Sequence, residues 1–168
     1  MVDIEADGPI PGDYSMVRLG CAIVEERLER TFRADLKPIS ENNDAQALAV
    51  CGMSREQSLQ GDDPAAVMLR FEQWVTAASR GRPVFISDNN GFDWMFTCWY
   101  FHHFLGRNPF GHSSVNLGSL YKGLTRSMRE SFKHLRRTVH THDPLDDALG
   151  NAEALLAMRS RMGLEIDL

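Results

Sequence analysis

Asp3 and Glu5 lie two residues apart in Met1-Val2-Asp3-Ile4-Glu5-Ala6, where apolar and acidic residues alternate as they do in a β-strand. With a strand's period of two, both carboxylates leave the same face, about 7 Å apart along the chain. Like charges so placed repel. A hard divalent cation, which takes oxygen ligands including one or two carboxylates, would relieve that repulsion. Taken alone, the pair is explained more simply by an edge strand with a solvated face. A third acid, Asp93, follows Ser87-Asp88-Asn89-Asn90-Gly91-Phe92 at the exit of a short apolar run. In α/β sheets ligands gather outside the carboxyl ends of strands, although a lone acid in a first helical turn is also favoured by the helix dipole. The last cluster is His140-Thr141-His142-Asp143-Pro144-Leu145-Asp146-Asp147. Capping explains Asp143, and the dipole explains Asp146. His142, five residues before Asp147, is explained by neither. A loop histidine and a helix carboxylate so spaced can face one cavity.

These residues need elements to hold them. The first strand is followed by a Gly/Pro-rich turn from Gly8 to Asp13, a second strand over 16–24 and a third over 30–39, together an antiparallel meander. Asp63 as N-cap and Pro64 at the first helical position open a helix that Gly81 closes. Residues 83–87 read as a buried parallel strand reached by that helical crossover. Residues 92–105 are predicted helical and 106–140 irregular with short helices. Asp143-Pro144 repeats the cap-then-proline signal and starts a last helix ending near Met162. The order describes one α/β domain over residues 1–168, built on a mixed sheet.

The 168 residues are 43% hydrophobic and 24% charged, as in ordinary globular chains, which excludes disorder, collagen-like repeats and coiled coil. No apolar run approaches the roughly 18 residues that span a bilayer. The N-terminus lacks the basic and apolar regions of a signal peptide, and three scattered cysteines lack a CxxC pair, so the expected compartment is the cytoplasm. Cys98, His102 and His103 are zinc-like residue types without a second pair at zinc-site spacing, and core and surface packing is the simpler explanation. The net charge of −5 hides a patch. Lys122, Arg126, Arg129, Lys133, Arg136 and Arg137 face one acid, Glu130, giving +5 over 16 residues. Such a run is either a solvated face or a track for a phosphate backbone.

The three acidic clusters together resemble the DEDDh 3′–5′ exonucleases of the ribonuclease-H-like fold. Asp-x-Glu with a glycine three residues later is matched by Asp3, Glu5 and Gly8. Asn-x-x-Phe-Asp is matched by Asn89, Phe92 and Asp93, and His-x-x-x-x-Asp-Ala by His142, Asp147 and Ala148. The likeness spans residues 1 to about 160. It departs at Asp7, where the family often has threonine. A third acid on that strand face would either repel a phosphate or add a ligand. The family's first strand usually starts several apolar residues earlier, so either the strand is short here or the natural start lies upstream.

The resemblance implies a ribonuclease-H-like sheet, three antiparallel strands followed by parallel ones, flanked by helices. It implies metal-dependent hydrolysis of single-stranded nucleic acid from the 3′ end, releasing nucleoside monophosphates. Two divalent ions, Mg²⁺ or Mn²⁺, would be held by Asp3, Glu5 and Asp147, with Asp3 bridging and Asp93 assisting through water. Histidine, with an ordinary pKa near about 6.5, suits proton transfer, and His142 is the expected base. His140, seven residues from Asp147, is a loop histidine or a substrate contact. Substrate contacts are expected at Gly8, Asn89 and Phe92, and on the basic run at Arg136 and Arg137. Trp94 and Phe96 are expected to pack in the core. RNA is slightly favoured over DNA, from the chain's small size alone. A homodimer is a family-level expectation. The alternatives are an inactive nucleic-acid-binding module on the same fold, or a hydrolase of small nucleotides.

Overall fold

The computed structural model describes residues 1–166. The alternating first segment forms β1 (Val2–Ala6), with Val2, Ile4 and Ala6 in one core and Asp3 and Glu5 on the opposite face. β1 pairs antiparallel with β2 (Met16–Ala22), setting Asp3 opposite Gly20 and Glu5 opposite Arg18, and β2 pairs antiparallel with β3 (Thr31–Asp35). The meander is as expected, but both later strands are shorter than the sequence pattern suggests. β3 ends because the Lys37 N–H turns to the Asp62 carbonyl. The register shifts between Glu5 and Ala6, which pair with Arg18 and Met16 and leave Val17 of β2 as the extra residue, and such bulges re-aim nearby side chains.

Two short helices that no apolar periodicity announced come next, α1 (Ala45–Val50) and α2 (Arg55–Ser58). Their caps are visible in retrospect. Asp44 accepts the Gln46 N–H, and Ser54 and Gln57 form a reciprocal capping box. α3 (Pro64–Ala78) starts at the Asp63-Pro64 signal, with the Asp63 side chain accepting the Ala66 N–H, and buries Val67, Met68, Phe71 and Val75. β4 (Phe85–Ser87) pairs in parallel with β5 (Ser114–Asn116). Hydrogen-bond ladders therefore join two pieces, a three-stranded antiparallel sheet and a parallel pair, with β4 lying beside β1. Between β4 and β5 runs α4 (Asn90–Leu105), closed by Gly106 in the left-handed region. α5 (Leu117–Thr125), a 3₁₀ turn (Phe132–Leu135) and α6 (Pro144–Met162) complete the chain.

Helices cover both faces of the strands. α3 and α4 enclose a core of Phe71, Phe85, Phe96 and Phe101, and α5 and α6 enclose a second around Leu117, Tyr121, Phe132 and Leu155. Full burial of each such side chain contributes about 1.5–3 kcal/mol. α6 crosses β2 closely enough that a Cβ on Gly20 would sit 2.3 Å from the Pro144 carbonyl carbon. Only glycine permits that approach, and it brings the start of α6 over the Asp3–Glu5 face. Among the described residues no helix is long and apolar enough to cross a membrane.

Candidate active site

Three elements meet at the polar face of β1. Carboxylate oxygens of Asp3, Glu5 and Asp147 lie within 4.8 Å of one another. Asp147 is in the first turn of α6, which the Asp143 cap and Pro144 fix in place. Asp93 is in the first turn of α4 and buried, and its Oδ1 accepts the Ile4 N–H at 3.2 Å, tying α4 to the free edge of β1. The other oxygen, Oδ2, is buried with no hydrogen-bond partner.

The electrostatics record the crowding. Burial, then the charges of Asp93, Glu5 and Asp147, hold the Asp3 carboxyl well above its ordinary value, with Arg136 opposing them. Burial, then Asp147 and Asp93, push Glu5 up to about 8. Burial raises Asp93 to about 7 against the nearby Ser87 hydroxyl and the Ile4 amide. Burial and neighbouring like charges displace carboxylates in this way. An unpartnered carboxylate oxygen and an all-oxygen donor set fit hard divalent ions.

Asp147 is held by three donors. His140 Nδ1 and Arg136 Nη2 each lie 2.7 Å from Oδ1, and the His142 backbone N–H donates to Oδ2 at 3.1 Å. His142 adopts φ 59°, in the left-handed region, which turns its ring toward the cluster with Nδ1 3.9 Å from Glu5 Oε1. The His140 and His142 rings meet edge to face, 4.2 Å between centroids. Spacing alone makes His140 a loop histidine or a substrate contact, and the structure places it against Asp147. The left-handed turn at His142 folds the loop back so that both histidines reach the acids.

Asp3, Glu5, Asp93, Asp147 and His142 are thus brought together. Asn89 is the N-cap of α4 through its carbonyl, with no side-chain capping bond, and Phe92 packs on Phe96 with centroids 4.9 Å apart. Phe96 is fully buried and Trp94 packs on Phe85, so both serve the core as expected. Gly8 is buried against the Tyr14 ring. Asp7 is not a third acid of the cluster. Past the bulge it is fully buried, and its side chain accepts the Ser15 N–H and an Arg55 N–H at 2.8 Å. Arg137 is largely exposed beside Glu153, whereas the Arg136 side chain is only 7% exposed and lies within the acidic site. Arg126, Arg129 and Lys133 are exposed along the same segment. Cys98, His102 and His103 do not converge into a metal-ligand group among the described residues, and His103 instead stacks on Trp99. The sequence-based reading missed the Arg136 and His140 contacts to Asp147. The position of Arg136 within a basic run gave no signal that it would be buried.

The chain is 38% identical over 162 residues to the 3′–5′ DNA exonuclease Cap18 of Escherichia coli, an alignment covering 90% of this chain and 86% of that protein. Among solved structures it superposes on the nuclease domain of 3′hExo, a DEDDh family member bound to rAMP, with a TM-score of 0.76 and 15% identity, covering 99% and 94% of the two chains. A zinc-bound complex of Escherichia coli ExoI with single-stranded DNA gives a TM-score of 0.77 at 16% identity, covering 96% of this chain and 40% of that one. No family model matches. The two superpositions show the ribonuclease-H-like arrangement of the fold.

Proposed function

The chain belongs to the DEDDh 3′–5′ exonucleases, and from that membership we propose that it shortens single-stranded DNA from the 3′ end, one nucleoside monophosphate at a time. The observation that carries the reading is the convergence of Asp3, Glu5, Asp93 and Asp147, with one buried carboxylate oxygen unpartnered. DNA is preferred over RNA here because the relative at 38% identity is a DNA exonuclease. The lean toward RNA rested only on chain size.

Asp3, Glu5 and Asp147 would hold one divalent ion, Asp3 would also face a second, and Asp93 would support it; either Mg²⁺ or Mn²⁺ suits these oxygens. Such a pair of ions stabilises the attacking and leaving oxygens of an in-line displacement and makes water a better nucleophile. Glu5 and Asp93, raised toward neutral pH, would hold such ions in their deprotonated form. His142 takes the proton of the attacking water from beside Glu5. Its left-handed backbone costs of order 1 kcal/mol, and the Asp147 carboxylate that accepts its N–H holds it there. Phe92 would flank the terminal base with Asn89, and Arg137 with the exposed Arg126, Arg129 and Lys133 would follow the phosphates.

The test is a time course on 5′-labelled single strands of DNA and RNA of equal sequence, with Mn²⁺, Mg²⁺ or EDTA, beside Asp3→Ala. A ladder shortening from the 3′ end, faster on DNA and absent with EDTA or the variant, is expected. A faster RNA ladder would reverse the sugar assignment. Binding without cleavage would make this chain an inactive module.

A further inference from the structure

We propose that Arg136 is a positioning residue for the metal site: it fixes Asp147 so that one carboxylate oxygen stays directed at Asp3 and Glu5 before any ion arrives. The inference rests on the metal-binding reading above.

Arg136 is an unusual occupant of its place. Its side chain is 7% exposed and paired with the buried Asp147, although Arg126, Arg129, Lys133 and Arg137 of the same segment are exposed. The backbone on both sides is anchored. Phe132, four residues before it, is buried in the α5–α6 core. Just after it, the N–H groups of Arg137 and Thr138 both donate to Glu153 of α6, at 2.7 and 2.8 Å. The guanidinium is then seated by Gly150, where a Cβ would come within 2.4 Å of Arg136 Nε. Gly150 stands three residues after Asp147, on the same face of α6, so the cradle and the carboxylate it serves move together.

The contact divides the work of the two carboxylate oxygens. Oδ1 receives both Arg136 Nη2 and His140 Nδ1 at 2.7 Å, which fills its two lone pairs. Oδ2 receives only the His142 N–H at 3.1 Å and keeps one lone pair. Oδ2 would then be the Asp147 oxygen left free to hold an ion together with Asp3 and Glu5. A purely structural pair would not explain the arrangement. Arg136 Nε is buried without a partner, and a buried ion pair is by itself weak evidence for stability.

Charge and position make opposite forecasts. If Arg136 mattered only as a positive charge, removing it would tighten cation binding. If it positions a ligand, removing it weakens binding, as loss of partners that orient metal ligands does by about 10- to 100-fold. The experiment titrates Mn²⁺ into the full chain, followed by the loss of free-ion electron paramagnetic resonance signal, for wild type, Arg136→Met, Arg136→Lys and Gly150→Ala. Circular dichroism in EDTA reports folding. Arg136→Met and Gly150→Ala are each expected to weaken the tightest Mn²⁺ site by about 10- to 100-fold with native dichroism. Arg136→Lys should recover only part of the loss, because it keeps the charge but not the planar fork. Gly150→Ala retains the arginine and displaces it, so it reads the same effect if Arg136→Met does not fold. Unchanged or tighter Mn²⁺ binding in a folded variant overturns the proposal. So does failure of both variants to fold, which would make the arginine structural. Absence of Mn²⁺ binding by wild type overturns the metal reading itself.

Discussion

Raising the pH in the absence of divalent ions is expected to destabilise this protein across the range where most domains are least sensitive. Glu5 moves from an ordinary 4.5 to about 8, and Asp93 from 3.8 to about 7, chiefly because both are buried beside other acids. Between about pH 4.5 and 8 the folded chain therefore keeps protons that the unfolded chain has released. Stability falls with pH wherever the folded state binds more protons. It is full below the unfolded values and lost as pH climbs through the folded ones. At about 1.36 kcal/mol per pH unit, Glu5 alone sets a ceiling on the order of 5 kcal/mol, a large fraction of the roughly 5–15 kcal/mol that holds a domain together. Relaxation and water entry reduce that ceiling. A loss of about 2–3 kcal/mol still lowers Tm by roughly 5–10 °C in a chain of this size. Asp143 and Glu153 do not interfere. Arg33 holds the one low and the Thr138 and Arg137 amides the other, each against burial, so their contribution is lost only on acidification. The assay is thermal unfolding by circular dichroism in EDTA from pH 5 to 8.5, repeated with Mn²⁺. The expected result is a falling Tm in EDTA and a rise on adding Mn²⁺ that is largest at high pH. A Tm that is flat or rises with pH in EDTA would refute the repulsion argument.

Other perturbations act on the same geometry. Asp93→Asn keeps an oxygen for the Ile4 N–H and removes a buried charge, so it should raise Tm in EDTA at pH 8 by several degrees while abolishing ladder formation. His142→Ala should cut turnover by about 10²–10⁴-fold, the usual contribution of a general base, with Mn²⁺ affinity retained in the resonance titration. If His140→Ala did this and His142→Ala did not, the base has been assigned to the wrong ring. His142→Gly should lose the same activity yet unfold no earlier than His142→Ala, because glycine carries no penalty at φ 59°. Gly20→Ala should cost stability by overpacking, about 1–3 kcal/mol or more in urea unfolding, since its Cβ meets the Pro144 backbone at 2.3 Å.

Much of the site was legible because its information is local. Two residues on a strand, an acid in the first turn of a helix and a histidine five before an acid are spacings that period-two and helical geometry convert directly into directions. Asp63-Pro64 and Asp143-Pro144 located the starts of α3 and α6 for the same reason. What was not legible depends on contacts between distant segments. Asp7 followed the strand alternation on paper, but past the register shift against β2 its side chain is buried against the Ser15 amide and Arg55 instead. The burial of Arg136 requires Gly150 on another element, and no property of either residue alone announces it. α1, α2 and β5 are three to six residues long, too short for periodicity to build up. The contact of His140 with Asp147 was not legible because counting along the chain assumes a regular backbone, which φ 59° at His142 interrupts.

The central claim is that the four acids gathered from β1, α4 and α6 form a divalent-cation site. Mn²⁺ stoichiometry, measured on the wild-type chain and on the doubly neutralised Asp3→Asn/Glu5→Gln variant with a single-stranded DNA carrying a hydrolysis-resistant 3′ linkage, tests it most directly. Two ions per wild-type chain, lost in the variant while its dichroism stays native, is the result expected. Equal Mn²⁺ binding by the two proteins, or none by either, would contradict it.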